Sequence, residues 1–95
     1  MNTQEIKDIL DKSLGMPIGN VSDEWETPSV VVGEAEGQTI VQTRGKSWKE
    51  TKALCDQVKD ALSDRYDVEQ GMVEFNSVEF RFWETLKVIK EKPQK

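Results

Sequence analysis

The chain has 95 residues, of which 36% are hydrophobic and 33% are charged, and its formal net charge is −5. This length suits one small domain with a marginal core, and no apolar run approaches the roughly 20 residues that a membrane-spanning helix needs. The acidic balance disfavours sequence-specific binding to nucleic acids, while a single cysteine and the lack of a secretory signal indicate synthesis in a reducing cytoplasm.

The first predicted element is a helix of about three turns near the N-terminus. Asn2 can cap it, and apolar residues recur at helical spacing from Ile6 to Leu14. Gly15 suits the left-handed position that commonly follows a helix. Because so short a helix is marginal in isolation, we expect its apolar stripe to pack on the rest of the domain.

An acidic stretch without a basic residue follows, partly in the loop that ends at Pro28. Up to Gly45 the chain carries eight acidic against three basic residues, whereas the remainder is balanced. The stretch is either a solvated loop or an electrostatic docking surface for a basic partner. Its members are Asp23, Glu24, Glu26, Glu34 and Glu36.

Two strands are predicted next. Val30, Val31 and Val32 form a β-branched run, and the segment from Thr39 to Arg44 alternates between apolar and polar residues. The loop between them is short and contains a glycine. This spacing predicts an antiparallel hairpin.

The clearest helix begins after Ser47. Ser47 and Glu50 have the spacing of a capping box, and apolar residues then recur on one face as far as Leu62. Cys55 lies on that face, and a chain without histidine offers no imidazole to activate it. We therefore interpret Cys55 as a buried structural residue.

A second β region is predicted from Met72 to Lys90, with a turn at Asn76-Ser77. Alternation then places Val78, Phe80 and Phe82 on one face of a strand. An interior Glu84 would be costly unless it were paired. We therefore expect either a bulge or break near Trp83 and Glu84 or a carboxylate that lies in solvent.

The element order is thus α-β-β-α-β-β in one α+β domain, residues 1–91, followed by a basic tail, residues 92–95. Two helices would pack on one face of a mainly antiparallel four-stranded sheet. No residue set suggests a catalytic, metal or cofactor site, because the chain has no histidine, one cysteine and no phosphate-binding loop. We therefore expect a protein that is not an enzyme.

Interaction with other proteins is the remaining functional class. Edge strands of such a sheet can pair across subunits through main-chain hydrogen bonds. Tryptophan is enriched at interface hot spots, so Trp25 and Trp83 are candidate interface anchors beside the acidic stretch. The alternative for both is partial burial, with Trp25 folding over the core as a lid.

The segment VQTRGKSWKETKALCDQVKDAL resembles the strand-to-helix segment of small tailed-phage proteins known as minor capsid, head–tail connector or tail completion (tail terminator) proteins. The matching residues are Val41, Gln42, Arg44, Gly45, Lys46, Ser47, Ala53 and Leu62. The valine run and the N-terminal helix occupy the places that this group leads one to expect. The segment covers about a quarter of the chain, and the rest agrees in layout.

The resemblance implies a non-enzymatic virion protein, made in the host cytoplasm, that forms a homo-oligomeric ring at the end of the tail tube. Its partners would be tail-tube and head-connector proteins, with no cofactor. The acidic stretch would then dock a partner or line the lumen. The alternative is a small acidic inhibitor, of the DNA-mimic or anti-CRISPR type, that binds a host nuclease.

Overall fold

The computed structural model describes residues 3–23 and 29–93. Within them the chain forms two helices and six strands, which confirms the α+β class and corrects the four-stranded sheet to a six-stranded mixed one. The elements are α1 (Thr3–Leu14), β1 (Gly19–Asn20), β2 (Val30–Ala35), β3 (Gln38–Gly45), α2 (Trp48–Ser63), β4 (Tyr66–Gln70), β5 (Glu74–Asn76) and β6 (Arg81–Glu91).

The end of α1 and the start of α2 lie where their local sequence signals predict. Gly15 follows α1 at φ 65°, and its N–H donates to the carbonyl of Asp11 at 2.9 Å. At the start of α2 the Ser47 hydroxyl accepts from the Glu50 N–H at 3.1 Å, which confirms Ser47 as the N-cap. The proposed cap of α1, Asn2, lies outside the described residues.

The strands are arranged in the order β1-β2-β3-β6-β4, and β5 also pairs with β6. β1 runs parallel to β2, while the other pairs are antiparallel, including the predicted β2–β3 hairpin. Phe82 pairs with Gly45 of β3 on one side and with Phe75 of β5 on the other. β4 and β5 therefore lie on the same side of β6 and together form one outer edge of the sheet.

The second half of the chain differs from the prediction. Tyr66–Gln70 is a strand that was not predicted, and Val78 and Phe80 lie in a turn rather than a strand. β6 is continuous through Trp83 and Glu84, so the expected break or bulge there is wrong. The register shifts instead in the β4–β6 pairing, where Asp67 pairs with Lys90 and Val68 with Val88, so that Ile89 of β6 is the extra residue.

The core lies between the two helices and one face of the sheet. Leu86 and Val88 of β6 face the helices, and Val41 lies opposite Leu86 on the same face. The buried cluster comprises Ile6, Leu10, Val30, Val32, Val41, Cys55, Val58, Leu62, Tyr66, Leu86 and Val88.

Part of the predicted basic tail, residues 92–95, is attached to the domain. The Lys92 N–H donates to the carbonyl of Arg65 at 2.8 Å, just beyond the end of β6. This bond ties the start of the tail to the turn between α2 and β4.

Candidate interaction surface

The predicted acidic stretch divides between two local structures. Glu34 and Glu36 are exposed at the β2–β3 hairpin, where Glu36 and Gly37 both adopt positive φ. The Asp23 carboxylate instead accepts from the N–H of Asn20 at 2.8 Å and closes a tight turn. The other predicted members, Glu24, Trp25 and Glu26, lie outside the described residues.

Arg44 holds the turn near Asp23 against the sheet. Its side chain is almost fully buried on the face opposite the helices, where Nε donates to Gln42 Oε1 at 2.8 Å. Nη1 and Nη2 donate to the carbonyls of Asp23 and Val21 at 3.1 and 2.8 Å. Burial lowers the pKa of the Arg44 guanidinium, and the charge of Asp23 opposes that shift. Asp23 is therefore part of the turn that Arg44 holds against the sheet.

Trp83 lies on the same face of the sheet, directly opposite Arg44 in β3 and Glu74 in β5. Its side chain is half-buried. Trp83 is thus part of the packed layer around Arg44, yet it stays close to the outer edge. This position keeps Trp83 as a candidate interface residue.

The outer edge consists of β4, the connecting residues 71–73 and β5. Among the described residues no strand pairs with the outer side of β4 or β5. The N–H of Gly71 donates to the carbonyl of Thr85 at 2.9 Å, and a Cβ at position 71 would lie 2.9 Å from that same oxygen. Glycine at this position lets the connecting segment lie close against β6, so the edge stays nearly continuous.

The outer edge is acidic. From Tyr66 to Phe80 the sequence contains four acidic residues and no basic residue. Asp67 forms an exposed ion pair with Lys90 at 3.9 Å, and Lys87 lies opposite Glu69 in register. Glu74 and Glu79 are exposed. From Lys46 onward the acidic and basic residues are equal in number, so this run appears only when charge is counted over a shorter window.

An aromatic face adjoins the outer edge and is formed by Phe75, Phe80 and Phe82. The ring centroid of Phe75 lies 5.0 Å from that of Phe82 and 6.5 Å from that of Phe80. Phe75 is 51% exposed and Phe80 is 76% exposed. Phe82 pairs with Gly45 of β3. Thr51, in the first turn of α2, lies directly against Gly45. The aromatic face therefore begins where the helical layer ends.

The turn between β5 and β6 places Phe80 in an unusual backbone conformation. Asn76 Oδ1 accepts from the N–H groups of Val78 and Glu79 at 3.0 and 3.1 Å. Phe80 then adopts φ 54°, a left-handed conformation that is rare for a bulky side chain. Backbone strain at an exposed aromatic residue is typical of a functional position.

A buried polar cluster lies under α2. Glu84 is 1% exposed, contrary to the expectation that it lies in solvent, and within residues 3–23 and 29–93 its Oε1 atom has no hydrogen-bond partner. Thr43 Oγ1 donates to the carbonyl of Thr51 at 3.4 Å. Burial, reinforced by the charge of nearby Glu84, raises the pKa of the Cys55 thiol to about 12. A thiol held protonated in this way fits the structural role predicted for Cys55.

The concave features of the surface are shallow. One depression of about 330 Å³ adjoins the β2–β3 turn and includes Glu34, Gln38 and Ile89. Another, of about 600 Å³, lies near the start of α1 and includes Asn20, Val21 and Glu34. In the described part of the chain, no group of three or more side chains is placed to hold a metal ion. Neither described helix is long and apolar enough to span a membrane.

Comparisons of this chain with protein-family models, with curated proteins and with solved structures find no match.

Proposed function

We propose that this chain is a non-enzymatic phage structural protein of the tail-completion or head–tail connector kind. It would assemble into a ring at the tail end, contact tail-tube and head-connector proteins, and become part of the virion. The resemblance of the segment from Val41 to Leu62 supports this proposal. In the fold that segment comprises most of β3, the capped turn at Ser47 and nearly all of α2.

The observation that carries the proposal is the concentration of exposed apolar side chains at one place. Of the six large hydrophobic residues that are exposed in the described ranges, four lie between Met72 and Phe80. Contiguous apolar patches on a soluble domain commonly mark protein–protein contacts. An assembly subunit needs such a surface.

The distribution of acidic residues supports assembly over inhibition by DNA mimicry. A DNA mimic must present carboxylates in place of a row of phosphates. Here Asp23 is bound within a turn beside Arg44, and Glu34 and Glu36 belong to the β2–β3 hairpin. The acidic residues of the outer edge lie among exposed apolar side chains and beside Lys87 and Lys90, so they do not form an uninterrupted anionic row. The exposed apolar surface beside Phe75 and Phe80 has no counterpart in a phosphate mimic.

Affinity purification of tagged protein from phage-infected cells, at low and high salt, tests the proposal. We expect mass spectrometry to recover tail-tube and head-connector proteins. The matched control is Ile89→Ser, which removes an exposed apolar side chain near the β2–β3 turn, toward the other end of β6 from Phe82. The double variant Phe75→Ser/Phe80→Ser should lose these partners, whereas Ile89→Ser should keep them.

Recovery of a host nuclease that is released by salt, in place of the virion proteins, would contradict the structural role. It would instead favour the inhibitor alternative. If the Phe75→Ser/Phe80→Ser variant and the Ile89→Ser control lost the virion partners equally, the aromatic face would not be the assembly surface.

A further inference from the structure

We infer that the outer edge binds an extended partner segment in which apolar residues alternate with lysine or arginine, and that the segment adds to the sheet as a further strand. This inference deepens the proposed function, because the segment would belong to a structural neighbour. The composition of the partner segment is inferred from the free strand edge, the aromatic face and the acidic residues of the outer edge.

The hydrogen-bonding groups on the outer side of β4 and β5 supply the main-chain part of the site. No described strand pairs with that side. A free strand edge is a template for another strand, and strand addition derives much of its affinity from main-chain hydrogen bonds. The occupant is therefore extended.

The two faces of the outer edge favour different side chains in the added strand. Phe75 shares the helix-side face with Phe82, whereas Glu74 shares the opposite face with Trp83. Glu69 lies opposite Lys87, which pairs with Ile40 and also faces away from the helices. Because side chains of an added strand alternate between the faces, one set would cover the aromatic face and the other would approach Glu69 and Glu74. Apolar and basic residues should therefore alternate.

Charge argues against a second copy of this chain as the occupant. The edge carries four acidic residues and no basic residue from Tyr66 to Phe80. Antiparallel pairing of two copies about Val68 would place Asp67 opposite Glu69, and like charges directly opposite each other destabilise a sheet. Acidic residues on the edge thus oppose self-pairing and favour a basic segment.

The small number of exposed apolar side chains agrees with a peptide-like occupant. The apolar part of this surface is formed by Met72, Phe75, Val78 and Phe80, whereas a standard interface contains roughly 20–30 residues per partner. Main-chain bonds to the edge would add to this contact. The left-handed backbone at Phe80, φ 54°, holds its ring at the end of the same surface.

The test uses the full chain and synthetic peptides of about ten residues, a length that spans a strand. The first peptide alternates valine or leucine with lysine. The second has the same composition with its apolar residues in one block, and the third has glutamate in place of lysine. The fourth is the first peptide with N-methyl groups on all its backbone amides, which removes the donors on both sides of the strand. We expect the first to bind about tenfold or more tighter than each of the others.

Three variants of the chain locate the binding. Glu69→Lys/Glu74→Lys should weaken the first peptide about tenfold, and Phe80→Asn, which tolerates the left-handed backbone, should also weaken it. The matched control Glu34→Lys/Glu36→Lys makes the same change of charge on the β2–β3 hairpin and should leave peptide binding unchanged. Hydrogen exchange should slow in Tyr66–Gln70 and Glu74–Asn76 when the peptide binds.

Equal binding of the N-methylated or the blocked peptide overturns strand addition. Equal binding of the glutamate peptide overturns the basic chemistry, and self-association of the unmodified chain through the edge overturns the choice of occupant. These outcomes are independent of recovery of virion proteins from infected cells, so the peptide inference and the proposed function can fail separately.

Discussion

Glu84 places a carboxyl group under α2, where water does not reach it. Its backbone belongs to β6, directly opposite Thr43, and the residues that follow on the same face are the core residues Leu86 and Val88. One carboxyl oxygen has no partner within the described residues. A buried polar atom without a hydrogen bond costs about 1–3 kcal/mol, so this position lowers the stability of the domain.

We predict that Glu84→Met raises the free energy of unfolding by about 1–2 kcal/mol, because an apolar side chain of similar length removes the unsatisfied group. Urea unfolding of the variant measures the change. Glu69→Met is the matched control, since Glu69 is exposed on β4 and the same substitution there should change stability by less than about 0.5 kcal/mol. A less stable Glu84→Met would mean that the carboxyl group is satisfied in the folded protein.

At the scale of single elements, the β5–β6 turn combines backbone strain with exposed apolar side chains. Asn76 fixes the start of the turn, and Phe80 completes it with φ 54°. Glycine adopts this conformation without the steric cost that a Cβ brings. The identity of residue 80 therefore sets both the turn's stability and the aromatic face.

We predict that Phe80→Gly is more stable than Phe80→Ala by about 1 kcal/mol, because both lose the ring and only alanine retains the left-handed strain. Val78 in the same turn is not among the residues with positive φ and serves as the control. There, Val78→Gly should be no more stable than Val78→Ala. Thermal unfolding of the four variants measures these differences in stability. If glycine and alanine had the same order of stability at both positions, strain at Phe80 would be excluded.

How far the sequence predicts an element depends on where its determinants lie. Ser47 and Gly15 mark helix ends through contacts within a few residues, and both predictions are confirmed. β4 is different. Only two of its five residues, Tyr66 and Val68, are apolar, and in the described residues no strand pairs with its outer side. β1 has two residues and exists through its pairing with β2. Such elements depend on tertiary contacts that local patterns do not contain.

The same distinction applies to the candidate surface. The acidic stretch near Asp23 stood out in the sequence, but the fold uses Asp23 within a turn beside Arg44. The outer edge is acidic over a shorter run, and its role depends on β4 and β5 lying on the same side of β6. Alternation predicts Phe80 and Phe82 on one face of a strand, but Phe80 lies in the turn before β6 and its ring contacts Phe75. This face stays uncovered because α2 begins only at Trp48.

At the scale of the whole molecule, charge on the outer edge controls whether copies of this chain associate. The molecule is elongated, 44 Å by 24 Å by 23 Å. Two copies that pair antiparallel along their outer edges about Val68 would place Asp67 of each copy opposite Glu69 of the other. Replacing Glu69 by lysine turns both of these like-charge pairs into opposite-charge pairs.

We predict that the Glu69→Lys/Glu74→Lys variant dimerises weakly, whereas the wild-type chain stays monomeric. In an antiparallel edge pair about Val68, Asp67 of each copy then lies opposite the lysine introduced at position 69 of the other copy, which is favourable. The affinity should be weak, on the order of 100 μM, since the contact is smaller than a standard interface. Sedimentation equilibrium of the two chains measures it. Raising the salt concentration should dissociate the variant dimer, because screening weakens exposed charge pairs. Dimerisation of the wild-type chain to the same extent would show that the acidic edge does not prevent self-pairing.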